Sequence, residues 1–229
     1  MDASAVLVAT EAWARAFPGA VVGALVMRGV RNPEQSAALE DRKRGLEEEL
    51  RAAGPTALGN QEEDRVLRAY VDYHRGRGKT YPVEAQRDSV AGKATSIQRR
   101  AALVEAMFMA ELKNLILTAG HDLAAISPPV RVDVSRDDDR YVLMYGSEQA
   151  LRAGDMTMVD GEGIVSTVVY GPDRRTRITP ETREVLFAVY APAGVGESSV
   201  RDHLADIRAN VLLVAPEAET GPLATRAAS

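Results

Sequence analysis

Most of the reactive chemistry this chain offers sits on or beside one apolar helix. Glu111 and Asn114 stand three residues apart, with Lys113 between them, in a run rich in Ala, Leu and Met where the pattern requires no solvated face. His121 follows Glu111 by ten residues, and a helix ending near Leu117 can return it toward that end. A carboxylate or imidazole so placed can hold a water beside an ester as its general base. The plainer alternative is an exposed edge or a buried, satisfied network, with His121-Asp122 forming a turn. Cations form a second group: Arg75, Arg77 and Lys79 in one glycine-spaced loop; Lys93, Arg99 and Arg100 around Thr95-Ser96; and Arg174, Arg175 and Arg177. Sharing a face, they can neutralise nucleic-acid phosphates; ordinary solvated side chains are the alternative.

Composition excludes several other chemistries. The chain has 229 residues and no cysteine, so it forms no disulfide framework, thiolate zinc site or iron–sulfur cluster and has no cysteine nucleophile. Three histidines, at 74, 121 and 203, leave little from which to build a metal centre, and no metal or organic cofactor is expected. A formal charge of −5 makes the whole molecule no attractant for polyanions, so any such contact must use local patches. The longest apolar run, Ala20 to Met27, is eight residues, far below the roughly 20 needed to span a bilayer. Met1-Asp2 lacks the basic start of a secretory signal, and a cytoplasmic location without membrane contact is the expectation. Gly194 to Ser199 lacks the lysine of a phosphate-binding loop and reads as a turn with a serine cap. Asp137-Asp138-Asp139 lacks the spacing of a calcium loop and reads as a hydrated hairpin tip.

The elements that must position these groups follow from periodicity. Ala5 to Val8 reads as a strand, Thr10 as a helix cap before Trp13, and Val21 to Val26 as a buried strand. Asn32-Pro33-Glu34 reads as a helix start, with Leu39, Leu46 and Leu50 on the buried side and Arg42, Lys43, Arg44, Glu47, Glu48 and Glu49 on a solvated face up to Gly54-Pro55. A loop over residues 57–61 and helices over 62–74, 82–90 and 101–117 follow. Beyond Pro128-Pro129 a period of two takes over: Val130 to Val134, Tyr141 to Tyr145, Met156 to Met158, Val165 to Tyr170 and Val185 to Tyr190. A helix capped by Ser199 with Asp202 closes the fold at Leu213, and residues 214–229 read as a flexible tail. Helices, then a mostly antiparallel sheet, then a helix define an α+β class: one domain over 1–213 with a helical insertion over about 32–80.

Several segments in order carry a resemblance. They are Phe17-Pro18-Gly19 before a strand, Leu103 to Ala106 leading down a helix to Thr118 to Leu123, Gly154-Asp155, Val159 to Gly161, and Arg174 to Thr182 before the strand Val185 to Tyr190. Together, over roughly residues 14 to 212, the chain resembles the B3/B4 domain of the phenylalanyl-tRNA synthetase β subunit. It is more similar still to the free-standing B3/4-domain proteins that carry this unit alone. The resemblance implies an α+β fold with a central sheet flanked by helices. In the synthetase the unit hydrolyses a wrongly attached tyrosine from its tRNA. Carried over, the threonine–asparagine pair of that pocket falls on Met107 and Phe108, its histidine on Ala119, and the glutamate that reads the tyrosine hydroxyl on Ala188. Its small-residue turn falls near Ser166 and Thr167. Four polar positions are apolar here, so tyrosine editing by the family's own groups is not expected.

Two expectations follow from the resemblance and the basic loops. The first is an aminoacyl-tRNA-binding protein that hydrolyses mischarged or non-standard aminoacyl esters through Glu111, Asn114 and His121, with Met107, Phe108, Ala119, Ser166, Thr167 and Ala188 lining the pocket. The second is a non-catalytic module that binds an amino acid, the aminoacyl end of tRNA, or a protein partner. Apart from these two stands the blander reading of an assembly or scaffold protein that does neither. No oligomeric state is expected in particular.

Overall fold

A computed structural model describes residues 8–54, 61–93 and 95–228. The fold has three layers. One antiparallel sheet holds β3 (Thr118–Asp122), β10 (Glu184–Ala191) and β2 (Val21–Arg28) side by side, and β11 (Glu219–Thr220) and β12 (Ala224–Ala227) pair with the outer edge of β2. A second sheet has the order β1 (Val8–Ala9), β4 (Arg131–Val134), β7 (Met156–Val159), β8 (Ile164–Thr167), β9 (Gly171–Pro172) and is antiparallel except for the β1–β4 pair. A separate hairpin pairs β5 (Arg140–Val142) with β6 (Glu148–Ala150). The class is α+β as expected. The single central sheet of the sequence reading is here two, because the β4–β9 meander packs face to face on the first sheet.

β2 and β10 are central strands, which is why their sequences are near-continuous apolar runs rather than alternating ones. Their even face on β2 (Val22, Ala24, Val26) and its partners Leu186, Ala188 and Tyr190 meet Trp13, Val132, Met156, Met158 and Val165 of the second sheet's layer. Their other face, Val21, Leu25, Met27, Val185, Phe187 and Val189, is covered by helices. These are α2 (Ala37–Ala53), α3 (Gln61–Arg75), α4 (Pro82–Lys93), α5 (Ala102–Asn114) and α6 (Glu197–Leu212); a short α1 (Glu11–Ala16) lies by the second sheet. Leu39, Leu46, Val66 and Tyr70 join that same core. The helices α2 and α3 of the expected insertion therefore belong to the helical layer, which runs on to Lys93.

Local chemistry explains most element ends. Thr10 caps α1 by accepting the Trp13 N–H, as expected. Asn32 does not cap α2: its amide bridges Thr179 O at 2.8 Å and Leu103 N at 2.9 Å, and Ser36 supplies the cap. Gly196, with no side-chain bond, caps α6 in place of Ser199, which donates to Glu62 at 2.5 Å. The solvated face assigned to α2 is interrupted, since Lys43 and Glu47 are buried. The expected flexible tail is corrected for residues 219–220 and 224–227, which satisfy the backbone of the β2 edge. Residues 5–7, Pro55, the loop over 57–60 and Ser229 lie outside the described residues.

Gly23 fixes how close α6 comes to the sheet. A Cβ there would stand 2.5 Å from Val200 Cγ1 and 3.1 Å from Leu204 Cδ1, both fully buried. Gly23→Ala should therefore cost about 1–3 kcal/mol by overpacking, read as a fall in the chemical-denaturation midpoint. A midpoint at or above wild type would mean that α6 can shift outward freely.

Candidate functional site

The three expected catalytic residues do not converge. Along β3, residues 118 and 120 face the helices and residues 119 and 121 face the second sheet, so Glu111 and His121 lie on opposite sides of the sheet. Glu111 is buried, and its Oε1 accepts the Thr118 N–H at 2.7 Å. Burial pushes its carboxyl up to about 8, against the opposing effect of that bond. It is a protonated internal cap for the turn that follows α5, where Leu115 takes the left-handed conformation. Asn114 donates to Asp206 at 2.8 Å and contacts His203 Nδ1 at 3.3 Å, while Lys113 reaches both Asp206 oxygens at 2.8 Å. His203 Nε2 lies 2.6 Å from Thr118 Oγ1, and burial lowers this imidazole to about 3. The group pins α5, β3 and α6 together. It is the satisfied network that the sequence held open as the alternative, with His203 added. His121 sits in a strand rather than a turn. Its Nδ1 lies 2.8 Å from Thr176 Oγ1, which donates onward to Asp173, and burial lowers it to about 3.

The six expected pocket positions also divide across the sheet. Ala119 and Ala188 are cross-strand partners in the packed layer between the sheets. Ser166 Oγ lies 2.5 Å from Tyr190 Oη in the same layer, and Thr167 Oγ1 accepts the Tyr170 N–H at 3.0 Å. All four are buried. Met107 and Phe108 lie on the helical side instead. There a Cβ on Gly120 would stand 2.7 Å from Ile178 Cδ1 and 3.3 Å from Met107 Sδ, so no hollow opens at that point of the strand.

What Met107 and Phe108 do line is a cleft of about 530 Å³ between α4, α5 and the β5–β6 hairpin. Val90, Ile97, Val104 and Met144 complete its apolar wall, and Gln86, Ser89, Thr95, Ser96 and Gln98 supply neutral polar groups. Arg100 and Tyr145 stand at its margin. Alternation of Tyr141, Leu143 and Tyr145 suggested three inward residues. Tyr141 is buried, but pairing stops at Val142 and Gly146 turns the chain at φ +95, leaving Tyr145 86% exposed. A tyrosine before glycine in a hairpin turn was the available signal.

The third basic cluster lies against this hairpin. Arg174 N bonds Val142 O at 2.9 Å, and a Cβ on Gly146 would stand 3.2 Å from the Arg174 guanidinium, which places Arg174 beside the Tyr145 turn. Arg140, Arg174, Arg175 and Arg177 line a groove of about 620 Å³ on the hairpin's other flank. Contacts continue from Met144 N to Pro172 O at 3.2 Å and, beyond Gly171, to Tyr170, whose ring centroid lies 5.2 Å from Lys79 Nζ. Not all these cations are available. Arg175 is held by Asp160 at 2.7 Å, Arg77 stacks on Tyr73 and bonds Gly154 O, Arg75 pairs with Asp72 and Arg99 with Glu40. Arg174 and Arg177 make no ion pair among the described residues, and the side chain of Lys93 lies outside them. No group of three His, Asp or Glu side chains among the described residues is placed to hold a metal. No helix among them is long and apolar enough to cross a membrane.

No family model and no curated protein matches the sequence. Among solved structures the chain is similar to an N-terminal fragment of the phenylalanyl-tRNA synthetase β-subunit from Pyrococcus horikoshii. The TM-score is 0.50 at 12% sequence identity, and the match covers 94% of this chain and 50% of that one. The chain thus spans about half the length of the fragment it matches. The two share a fold, and a B3/B4-like α+β architecture agrees with that likeness.

Proposed function

We propose that this chain is a non-catalytic module that binds the unpaired, aminoacyl-bearing end of a tRNA. The observation that supports the reading is the turn where exposed Tyr145 stands at the mouth of the apolar cleft beside Arg174, which has no ion pair among the described residues. An exposed aromatic ring offers an unpaired base a stacking platform, a neighbouring guanidinium meets its phosphate, and the cleft behind receives an apolar group. The shared fold with a tRNA synthetase fragment supports tRNA as the RNA class. Binding is favoured over hydrolysis because the cleft's described lining holds no carboxylate or imidazole, and Glu111 and His121 are both sealed in the core.

Filter binding of deacylated and aminoacylated tRNA across a salt series tests this. Tyr145→Ala should weaken binding by about 5- to 100-fold, the worth of one stacked base. Arg174→Ala should flatten the logarithmic salt dependence by roughly one charge. Aminoacyl esters should decay at the buffer rate with the protein present. Absence of tRNA binding at low salt, or indifference to both substitutions, would end the proposal; accelerated ester decay would replace it with the hydrolase.

A further inference from the structure

A second concave site lies beside the Gly76–Gly78 loop, away from the apolar cleft. Its volume is about 240 Å³, and Arg77, Arg152, Asp155 and Tyr170 are among its walls. Asp155 is 4% exposed. One oxygen accepts the Tyr73 hydroxyl at 2.6 Å and has the Arg77 Nε 3.8 Å away, and the other accepts the Val169 N–H at 3.1 Å. A carboxylate has about four acceptor positions, so at least one remains. Burial raises the Asp155 carboxyl above its usual range despite these bonds and the nearby Arg77, so a further cationic donor would relieve an existing penalty. Arg77 cannot serve a ligand, being committed to Gly154 O, Tyr73 O and the Tyr73 ring, 3.5 Å from its centroid. Arg152 is different. Its carbonyl is fixed by the Ser135 hydroxyl at 2.6 Å, while its exposed guanidinium has no ion-pair partner among the described residues. Lys79, near the Tyr170 ring, adds positive charge on the same side.

From this pairing of one acidic and one free basic group across a small opening, we propose that the pocket binds a free α-amino acid of small side chain. Its ammonium takes the open acceptor of Asp155, and its carboxylate takes the fork of Arg152. The site is independent of RNA binding at the cleft, which uses Tyr145 and Arg174.

Calorimetric titration of the full chain with glycine, L-alanine and L-serine tests it, with methylamine and acetate as single-charge controls. The amino acids should bind and each control should bind at least about tenfold more weakly, since each forfeits one charge-assisted bond. Arg152→Ala, a surface change, should weaken glycine or alanine binding at least about tenfold at unchanged melting temperature. Asp155→Asn should abolish it, and Tyr145→Ala should leave it intact. No heat up to about 10 mM amino acid, acetate binding as well as glycine, or full affinity in Arg152→Ala would each overturn the proposal.

Discussion

Replacing Lys43 by alanine should destabilise the protein by about 3–5 kcal/mol, a fall of roughly 6–20 °C in melting temperature for a domain of this size. Lys43 lies on α2 with its ammonium bonded to Glu105 of α5 and to Glu40 at 2.8 Å. The Lys43 and Glu105 side chains are 6% and 1% exposed. Desolvation pulls the ammonium down, and its bonds to Glu105 and Glu40 more than reverse this, so its pKa ends above the usual value. Truncating it strands Glu105 as an unpaired charge inside the helical layer, the costly case. Removing both charges with Lys43→Met and Glu105→Leu should recover most of the loss, because well-packed apolar side chains replace a buried pair at little cost. Thermal melts of the single and double variants decide it. A single variant within about 2 °C of wild type would show that water reaches Glu105.

That pair also shows what could not be read from the sequence. The 3.6-residue pattern places Leu39, Leu46 and Leu50 inward, and they are inward. It places Lys43 on the polar face because a charge is normally solvated there. Only the arrival of α5, with Glu105 some sixty residues on, makes an inward lysine tolerable, and periodicity does not see such a partner. Asn32 failed for the same reason: asparagine before proline is a good local helix start, but a buried amide that bridges Thr179 and Leu103 outcompetes it. β2 and β10 were legible because strands buried on both faces are written as unbroken apolar runs.

The site was less legible than the fold. Spacing along α5 and β3 places residues 111, 114 and 121 close together in the chain, around one helix end. It does not say which face of β3 a residue occupies, and one position separates Gly120 on the helical side from His121 on the other. The basic loops were found as sequence clusters, but their value depends on partners. Arg175 and Arg77 are consumed by internal acceptors, whereas Arg174 is left for solvent. Tyr145 was misplaced because alternation was extended past the end of pairing.

Stability should peak near pH 6.5, and Glu111→Gln should remove the alkaline side of that peak. His121 and His203 are buried neutral, with burial lowering each from 6.5 to about 3. Between those values the unfolded chain binds protons that the fold refuses, so stability rises as pH climbs from about 3 to 6.5. Glu111 acts oppositely. Burial raises it from 4.5 to about 8, so the fold holds a proton that the unfolded chain has released, and stability falls as pH rises through that window. From 4.5 to 6.5 these two imidazoles, joined by His74, which burial also lowers, outweigh the raised carboxyls of Glu111 and Asp155 and the slope stays positive. Above 6.5 Glu111 reverses the slope, and the buried tyrosines, raised from 10, extend the fall only at more alkaline pH. Glutamine reproduces the protonated carboxyl in shape and still offers an oxygen to Thr118 N–H, without a proton to lose. The variant should match wild type near pH 5 and exceed it near pH 8.5 by an amount on the order of a few kcal/mol, several degrees in melting temperature. Differential scanning fluorimetry across pH reads this directly. A melting temperature lowered at every pH would mean that Glu111 is ionised and paired in the fold, and the alkaline limb would then need another group.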